Sequence, residues 1–305
     1  MHQTSGRWQL GLALSLLTVI LWGILPISLS IVLQGLDAYT LTWFRFVGSF
    51  CLLGGYLKLR GNLPTFSQLR STSPKLVLIA TIFLAINYIL FVQGLAITTP
   101  ANAEVLIQLA PILMGLGGLV IFKERYTLFQ WIGISILTVG FILFFNEQLS
   151  NLISAQSTYL FGSGLIVLAA ITWSIYALAQ KQLLQTLSSA HIMLIIYGGC
   201  ALLFTIVATP KSIFTLNLLQ SGMLVFCALN TLIAYGAFAE ALEHWEASRV
   251  SAVIALAPVV TLLSSWFVSE ISPNLIATEH LTMLGIVGAF LVVCGSAAIA
   301  LGKTH

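Results

Sequence analysis

Two side chains of opposite charge, Arg45 and Glu104, lie inside long apolar stretches of this chain. An ionisable group in hydrocarbon costs about 2.5–3.5 kcal/mol at mid-span, so each of them requires a reason. The guanidinium of Arg45 offers a rigid fork of donors that suits a carboxylate or a phosphate. Arg45 is therefore a candidate anchor for an anionic molecule, and Glu104 is a candidate proton carrier or the partner of Arg45. The alternative is structural: an ion pair, or two groups near the membrane interface.

Glu104 also belongs to a polar stripe. Glu104, Gln108 and Pro111 are spaced i, i+4, i+7, which places them on one face of a helix. A proline inside a helix removes a backbone donor and kinks the helix, and polar groups beside such a kink face other helices or water. The stripe therefore predicts a cavity wall. The alternative for Gln108 is a hydrogen bond between helices.

Aromatic and amide side chains within the apolar stretches form a second group of candidates. Tryptophan is less expected at mid-span than at the membrane interface, and asparagine inside lipid needs a partner. The tryptophans either line a cavity that accepts a flat or apolar group or fill a helix crossing. The candidates for the cavity wall are Trp22, Asn87, Tyr88, Trp173, Tyr176, Asn230 and Tyr235.

The stretches that carry these residues indicate an integral membrane protein. Charged residues make up 7% of the chain, against about 25% in soluble domains, and hydrophobic residues make up 59%. Apolar stretches of about the 20 residues that span a bilayer follow one another with short gaps. We predict an all-α fold with ten transmembrane helices at 8–30, 39–59, 75–95, 100–122, 128–145, 160–180, 191–210, 218–243, 249–268 and 281–301.

The second half of the chain repeats the first. Ala110-Pro111 and Ala257-Pro258 each lie in a long apolar run that ends in a glutamate, Glu124 or Glu270. With the prolines aligned, Tyr88 falls on Tyr235. Pro111 and Pro258 are therefore predicted to kink equivalent helices. We expect two five-helix repeats, at 1–147 and 157–303.

The distribution of lysine and arginine predicts the orientation, because loops rich in these residues stay in the cytoplasm. With both termini inside, Lys211 is the one basic loop residue placed outside. An odd number of spans per repeat then inverts the second repeat relative to the first. Arg45 and Glu104 both lie near the outer face in this arrangement. The net charge of +3 follows from the same bias and does not indicate nucleic acid.

The four cysteines lie singly in apolar stretches without Cys-x-x-Cys spacing, so we predict neither a metal site nor a disulfide framework. The chain has neither a phosphate-binding glycine loop nor His-Glu-x-x-His or Gly-x-Ser-x-Gly, so we predict no cofactor and no enzyme activity. The predicted partners are lipid and a small-molecule substrate. Glycine ridges leave a monomer and a homodimer both open.

Residues 100–111, Pro-Ala-Asn-Ala-Glu-Val-Leu-Ile-Gln-Leu-Ala-Pro, and 122–125, Phe-Lys-Glu-Arg, with Gly133 and Gly140, resemble the EamA type of the drug/metabolite transporter superfamily. The resemblance implies a five-plus-five helix bundle in the cytoplasmic membrane, commonly an exporter of amino acids, other metabolites or drugs. It also implies a gating or packing role for Glu124 and Glu270. Glu104, Gln108 and the insertion at 271–280 depart from the family pattern.

These observations favour a secondary transporter of a small metabolite or amino-acid-like compound that works by alternating access and is a probable exporter. The first alternative is a carrier for amphipathic drugs. A non-transporting membrane subunit and a membrane-embedded enzyme are less favoured, because the loops are too small for a recognition domain and no catalytic motif is present. Proton-coupled export and plain gradient-driven exchange are both open, and Glu104 is the candidate proton carrier.

Overall fold

The computed structural model describes residues 5–98, 100–122, 126–144, 146, 157–271 and 282–301. The regular elements within these residues are helices, without a strand. The helices are α1 (Trp8–Leu33), α2 (Ala38–Leu59), α3 (Phe66–Ser71), α4 (Pro74–Ala96), α5 (Pro100–Ile107), α6 (Leu109–Ile121), α7 (Leu128–Phe144), α8 (Ser157–Leu183), α9 (Ser189–Thr205), α10 (Leu218–His244), α11 (Ala247–Ile254), α12 (Ala257–Ile271) and α13 (Met283–Leu301), with a 3-10 helix at Pro210–Thr215.

Six helical segments of the described chain are long and apolar enough to cross a membrane. They are α1, α4, α8, α10, and two composite segments made by α5 with α6 and by α11 with α12. The helix α2 and the shorter apolar helices α7, α9 and α13 bring the apolar segments of the described chain to ten. The prediction of an all-α membrane protein is confirmed.

Both predicted kinks coincide with a local interruption of the helical hydrogen-bond pattern inside a span, although Gln108 and Ala255 keep right-handed helical backbone angles. The chain leaves the helical pattern at Gln108 and again at residues 255–256, each about one turn before the proline of an Ala-Pro pair. Pro111 has no N–H to donate to the carbonyl of Ile107, and its ring crowds the preceding turn; Pro258 has the same relation to Ile254. The fourth and ninth spans are therefore each interrupted near the proline, and each continues as one long apolar segment.

Each of these two spans ends in the sequence at a glutamate, Glu124 or Glu270. Glu124 lies outside the described residues. Glu270 lies near the end of α12 with an exposed side chain. The insertion at 271–280 also lies outside the described residues, apart from Ile271 at the end of α12.

Polar residues fix the ends of several helices. Asp37 caps α2, because its carboxylate accepts from the backbone N–H groups of Tyr39 and Thr40. Asn217 and Gln220 form a capping box at the start of α10. The short connections between spans are therefore defined by local chemistry, which sets where each apolar helix enters the bundle.

The contacts between helices occur in pairs that are related by the repeat of the two halves. The extensive contacts of α1 with α10 are matched by those of α4 with α8, and α7 packs along its counterpart α13. At this last crossing the backbones touch: a Cβ added to Gly133 would lie 3.1 Å from the carbonyl oxygen of Gly295, and one added to Gly140 would lie 3.0 Å from that of Gly288. These four glycines are pairwise equivalent in the repeat, so the same close contact occurs twice.

Candidate functional site

The repeats enclose a cavity of about 100 Å³ where both broken segments meet α1, α2, α4, α8 and α10. Nine of the sequence-predicted residues line it, and most of the remaining wall is apolar. The lining residues are Trp22, Leu25, Pro26, Arg45, Asn87, Tyr88, Phe91, Val92, Glu104, Ile107, Gln108, Ala110, Pro111, Trp173, Tyr235, Ile254 and Ala257.

Arg45 is held at this cavity by a chain of hydrogen bonds. Its Nε donates to Thr231 Oγ1 over 2.9 Å, and that hydroxyl in turn donates to the carbonyl of Cys227 over 2.9 Å. The guanidinium carbon lies 4.5 Å from the centre of the Tyr88 ring, a cation–π distance. Arg45 is only 2% exposed, so the charge is fixed in the interior with its fork at the cavity wall.

In the described part of the chain, Arg45 forms no ion pair within 4.0 Å of a carboxylate. An ion pair with Glu104, one of the two structural alternatives, is therefore not formed in this conformation. Glu104 is 5% exposed and lies on another part of the same wall. The cavity thus presents one basic and one acidic group that do not pair with each other.

The aromatic side chains meet as equivalent pairs. Trp22 and Trp173 occupy corresponding places in the two repeats, and their ring centres are 5.6 Å apart in an edge-to-face arrangement. Tyr88 and Tyr235 correspond in the same way, and their ring centres are 5.5 Å apart. Residues related by a twofold axis touch each other only near that axis. The cavity therefore lies at the junction of the repeats, and its tryptophans both line it and fill a crossing.

Three lining residues carry buried polar atoms that have no hydrogen-bond partner in the described part of the chain. They are Trp22 Nε1, the Tyr88 hydroxyl and Gln108 Oε1. The Tyr88 hydroxyl lies near Thr231 and Tyr235 without meeting hydrogen-bond geometry with either. A buried polar group without a partner costs about 1–3 kcal/mol. These atoms are consequently suited to groups that enter the cavity.

Tyr176, Asn230 and Pro258, which the sequence analysis also placed at the cavity, are not among its lining residues. Tyr176 lies one layer behind the wall, with its hydroxyl 3.5 Å from Met193 Sδ and its ring centre 6.3 Å from that of Trp173. Asn230 donates to the carbonyl of Leu21 over 2.5 Å and so joins α10 to α1. Tyr176 therefore contacts α9, which carries Met193, although the i, i+3 spacing places it on nearly the same helical face as Trp173.

Asn87 does line the cavity, although its amide nitrogen is already used. It donates to the carbonyl of Ala169 over 2.9 Å, which joins α4 to α8. The structure also adds lining residues that sequence reasoning missed, among them Pro26 and Phe91, and Thr231 behind Arg45. Thr231 lies one helical turn before Tyr235 on α10, but only the fold brings it to Arg45.

The described residues contain no group of three or more His, Cys, Asp and Glu side chains arranged to hold a metal ion. The site combines the buried guanidinium of Arg45 with an aromatic wall, and it lies next to the helix interruptions of the fourth and ninth spans. Together the fold and the cavity define an integral membrane protein of two repeats with a cavity between them, an architecture of many carriers.

Residues 9–146 and 160–294 each match the EamA-like transporter family. A relative in Haemophilus influenzae, named an uncharacterized transporter, is 37% identical over 293 residues, which cover 96% of this chain and 95% of the relative. YhbE of Escherichia coli K12, named an uncharacterized inner membrane transporter, is 36% identical over 303 residues, covering 99% and 94%. The chain belongs to the EamA-like transporter family, as the sequence resemblance predicted.

A solved crystal structure shares the fold. It matches with a TM-score of 0.72 and 17% identity, covering 95% of this chain and 97% of its own. The similarity concerns the architecture alone. It extends over nearly the whole bundle, including both repeats.

Proposed function

We propose that the protein is a secondary transporter that exports a small metabolite or amino-acid-like compound across the cytoplasmic membrane. The observation that carries this proposal is the cavity between the repeats, where a buried Arg45 and a buried Glu104 share an aromatic wall. Polar and ionisable groups that a membrane protein keeps in its interior mark substrate and ion pathways. The names of the relatives in H. influenzae and E. coli support transport, and they leave the substrate open.

The arrangement of the repeats supports alternating access as the mechanism. The contacts of α1 with α10 are equivalent in the repeat to those of α4 with α8. Each helix pair could therefore adopt the packing that the other pair has in this conformation. Rocking of the two repeats about the cavity would then open it to each side of the membrane in turn. The cavity wall bends, in this proposal, at the helix interruptions beside Pro111 and Pro258. In this proposal the repeat boundaries are 1–147 and 157–303, with both termini in the cytoplasm.

Glu104 is the proposed proton carrier. It lies in the wall that also holds Arg45, Tyr88 and Tyr235, so binding of a substrate beside Arg45 changes the electrostatic environment of the carboxylate. Protonation of Glu104 on one side of the membrane and its release on the other would couple export to the proton gradient. The carboxylate is 5% exposed, which shields it from bulk solvent.

The test of this function begins with purified protein and a thermal-shift screen of amino acids, nucleosides, sugars and amphipathic cations. Exchange of the compounds that stabilise the protein is then measured in reconstituted vesicles with and without a pH gradient. We expect wild-type flux to follow the gradient and Glu104→Gln to lose that dependence while retaining exchange at equal pH. Glu246→Gln, which changes a carboxylate outside the cavity, is the matched control and should behave as wild type.

Two results would contradict the proposal at different levels. Unchanged pH dependence in Glu104→Gln removes the proton role from this residue and leaves the carrier intact. Absence of exchange for every stabilising compound removes the carrier function itself.

Efflux of amphipathic compounds is the second candidate, and the aromatic pairs at the cavity favour it. Trp22 lies 4.9 Å from Tyr235 between ring centres, so several flat surfaces are available to an apolar molecule. The same screen separates the two functions. A drug carrier is stabilised by many unrelated cations, whereas a metabolite carrier is stabilised by one chemical class.

A further inference from the structure

We infer that the substrate carries a single carboxylate that binds the fork of Arg45, attached to an apolar body that lies against the aromatic pairs. The inference rests on the proposed transport function and specifies the chemistry of the compound carried. It also assigns a role to Thr231, which lies behind the cavity and has no part in the proposed function above.

The anchor for the carboxylate is a group of donors around Arg45. The hydrogen bond to Thr231 uses Nε, and the two terminal nitrogens of the guanidinium make no hydrogen bond within the described residues. The unpartnered Tyr88 hydroxyl and Trp22 Nε1 line the same cavity. Four N–H bonds of the guanidinium thus remain for an acceptor, and two further donors lie on the wall. An oxyanion is the ligand that accepts from such a set.

The charge of Arg45 requires a counter-charge. A buried cation is stable when it is paired, and no carboxylate of the described chain lies within ion-pair distance of Arg45. The cation–π contact with Tyr88 offsets only part of the desolvation cost. A substrate anion supplies the missing charge, so binding gains the pairing energy that the empty protein lacks.

The cavity favours a carboxylate over a phosphate group. Arg45 is the one basic residue among the lining residues that the structure describes, and Glu104 already contributes an acidic group to the wall. A phosphate dianion would bring two negative charges to one positive charge, next to this acid. A carboxylate brings one, in the planar geometry that matches the guanidinium fork.

Thr231 is the positioning residue of this anion site. Its hydroxyl proton is used by the carbonyl of Cys227, so its oxygen is left to accept from Arg45. The backbone of the same residue is held by the Tyr197 hydroxyl, which donates to the Thr231 carbonyl over 2.8 Å. This arrangement restricts the rotation of the guanidinium at the cavity wall and, in the described part of the chain, leaves its terminal nitrogens free to donate.

The experiment measures binding of three probes that share a phenyl body to the purified full-length protein in nanodiscs at mildly alkaline pH. The probes are 3-phenylpropanoate, its neutral amide 3-phenylpropanamide, and 2-phenylethylphosphonate as the dianion. We expect the carboxylate to bind about 10- to 100-fold more tightly than the amide, since a hydrogen bond to a charged group is worth about 1.5–3 kcal/mol. The phosphonate should bind more weakly than the carboxylate.

Substitutions of Arg45 and Thr231 test which side chains produce the preference for carboxylate over amide. Arg45→Gln should remove the preference for carboxylate over amide, and Arg45→Lys should retain the charge but lose most of the preference because the fork is gone. Thr231→Val should reduce the carboxylate-to-amide ratio about 3- to 10-fold, and Thr231→Ser should restore it. Thr261→Val removes another buried hydroxyl that bonds a carbonyl of α1 and serves as the matched control. Thr231→Val keeps the test decisive even if Arg45→Gln fails to insert.

The inference is overturned if the carboxylate and the amide bind equally, if the phosphonate binds most tightly, or if Thr231→Val and Arg45→Gln leave the ratio unchanged. It is also overturned if 3-phenylpropanoate, acetate and indole-3-acetate all fail to bind at millimolar concentrations. Vesicle exchange of a neutral or cationic compound in any of these cases would leave the transport function standing. Loss of all exchange would remove both.

Discussion

Arg45 illustrates how one residue can be costly to the fold and useful to the site. Its charge is 2% exposed, and its contacts within the described chain are a threonine hydroxyl and the face of a tyrosine ring. Neither contact neutralises the guanidinium. If the substrate is the anion inferred above, its binding would offset this cost, and a carrier needs such a difference in stabilisation between its empty and loaded states.

Asp37 provides a prediction about pH at the scale of one residue. Burial raises the pKa of its carboxyl, but hydrogen bonds from Thr40, Thr209 and the Tyr39 N–H outweigh burial and hold the pKa below its ordinary value. A lowered pKa in the folded state means that the ionised carboxylate stabilises the fold at neutral pH. That stabilisation is lost as the pH falls below the ordinary aspartate value of about 3.9 and through the folded-state pKa.

We therefore expect the melting temperature of the wild type to fall more steeply than that of Asp37→Asn across this acidic range. Asparagine still caps α2, so the variant isolates the charge, whereas Asp37→Ala removes the cap and should cost about 0.5–2 kcal/mol at neutral pH. Melting curves in detergent as a function of pH measure both effects. A difference between wild type and Asp37→Asn that stays constant with pH would contradict the assignment.

At the residue scale, sequence could predict which side chains are unusual but not what they touch. Periodicity placed Glu104, Gln108 and Pro111 on one face, and the structure has all three at the cavity. The depth of Arg45 followed from its distance to the end of its span. Its bond to Thr231 joins residues on different helices and different repeats, and no local pattern encodes such a contact. For the same reason, the contact of Asn230 with Leu21 was not foreseen.

At the scale of the element, the two helix interruptions beside Pro111 and Pro258 are the features on which the proposed alternating access depends. Pro111 and Pro258 have no N–H to donate to the carbonyls of Ile107 and Ile254. Both isoleucines line the cavity. Sequence predicted a kink at both places because proline removes a donor wherever it stands. It could not predict at which residue the helical hydrogen-bond pattern is interrupted, since the position of the interruption depends on how the neighbouring helices pack around it.

Replacing the prolines should therefore separate stability from transport. Pro111→Ala and Pro258→Ala each permit the missing backbone hydrogen bond, so we expect unchanged or higher melting temperatures together with a several-fold loss of exchange in vesicles. Pro74→Ala is the matched control, because Pro74 stands in the first turn of α4 where its missing N–H has no helical partner anyway. If all three variants transport alike, the breaks are packing features without a part in opening and closing.

At the scale of the whole molecule, the repeat and the loop charges together predict an inverted pair of bundles. The connection between α2 and α4 contains two arginines, Arg60 after α2 and Arg70 within α3. The connection with the 3-10 helix at Pro210–Thr215 contains one basic residue, Lys211. The proposed orientation places the first connection in the cytoplasm and the second outside. Composition was sufficient to predict the all-α membrane fold, because the membrane restricts the possible folds so strongly, whereas the orientation stays a prediction.

Cysteine labelling in a cysteine-free background tests the orientation. A membrane-impermeant maleimide added to intact spheroplasts should label Thr215→Cys and should label Asn62→Cys only after the membrane is opened. Both positions are exposed, and neither lies in the cavity wall. The reverse labelling pattern would invert the molecule and with it the side on which Arg45 lies.

The contact between Trp22 and Trp173 has a further consequence. The two indoles belong to different repeats, their centres are 5.6 Å apart, and their planes are inclined by 80°. Chromophores this close share their electronic excitation, so the pair should give a coupled signal in the ultraviolet circular dichroism of the unlabelled protein. Because that coupling decays steeply with separation, the strength of the signal reports the distance between the two repeats without an added label.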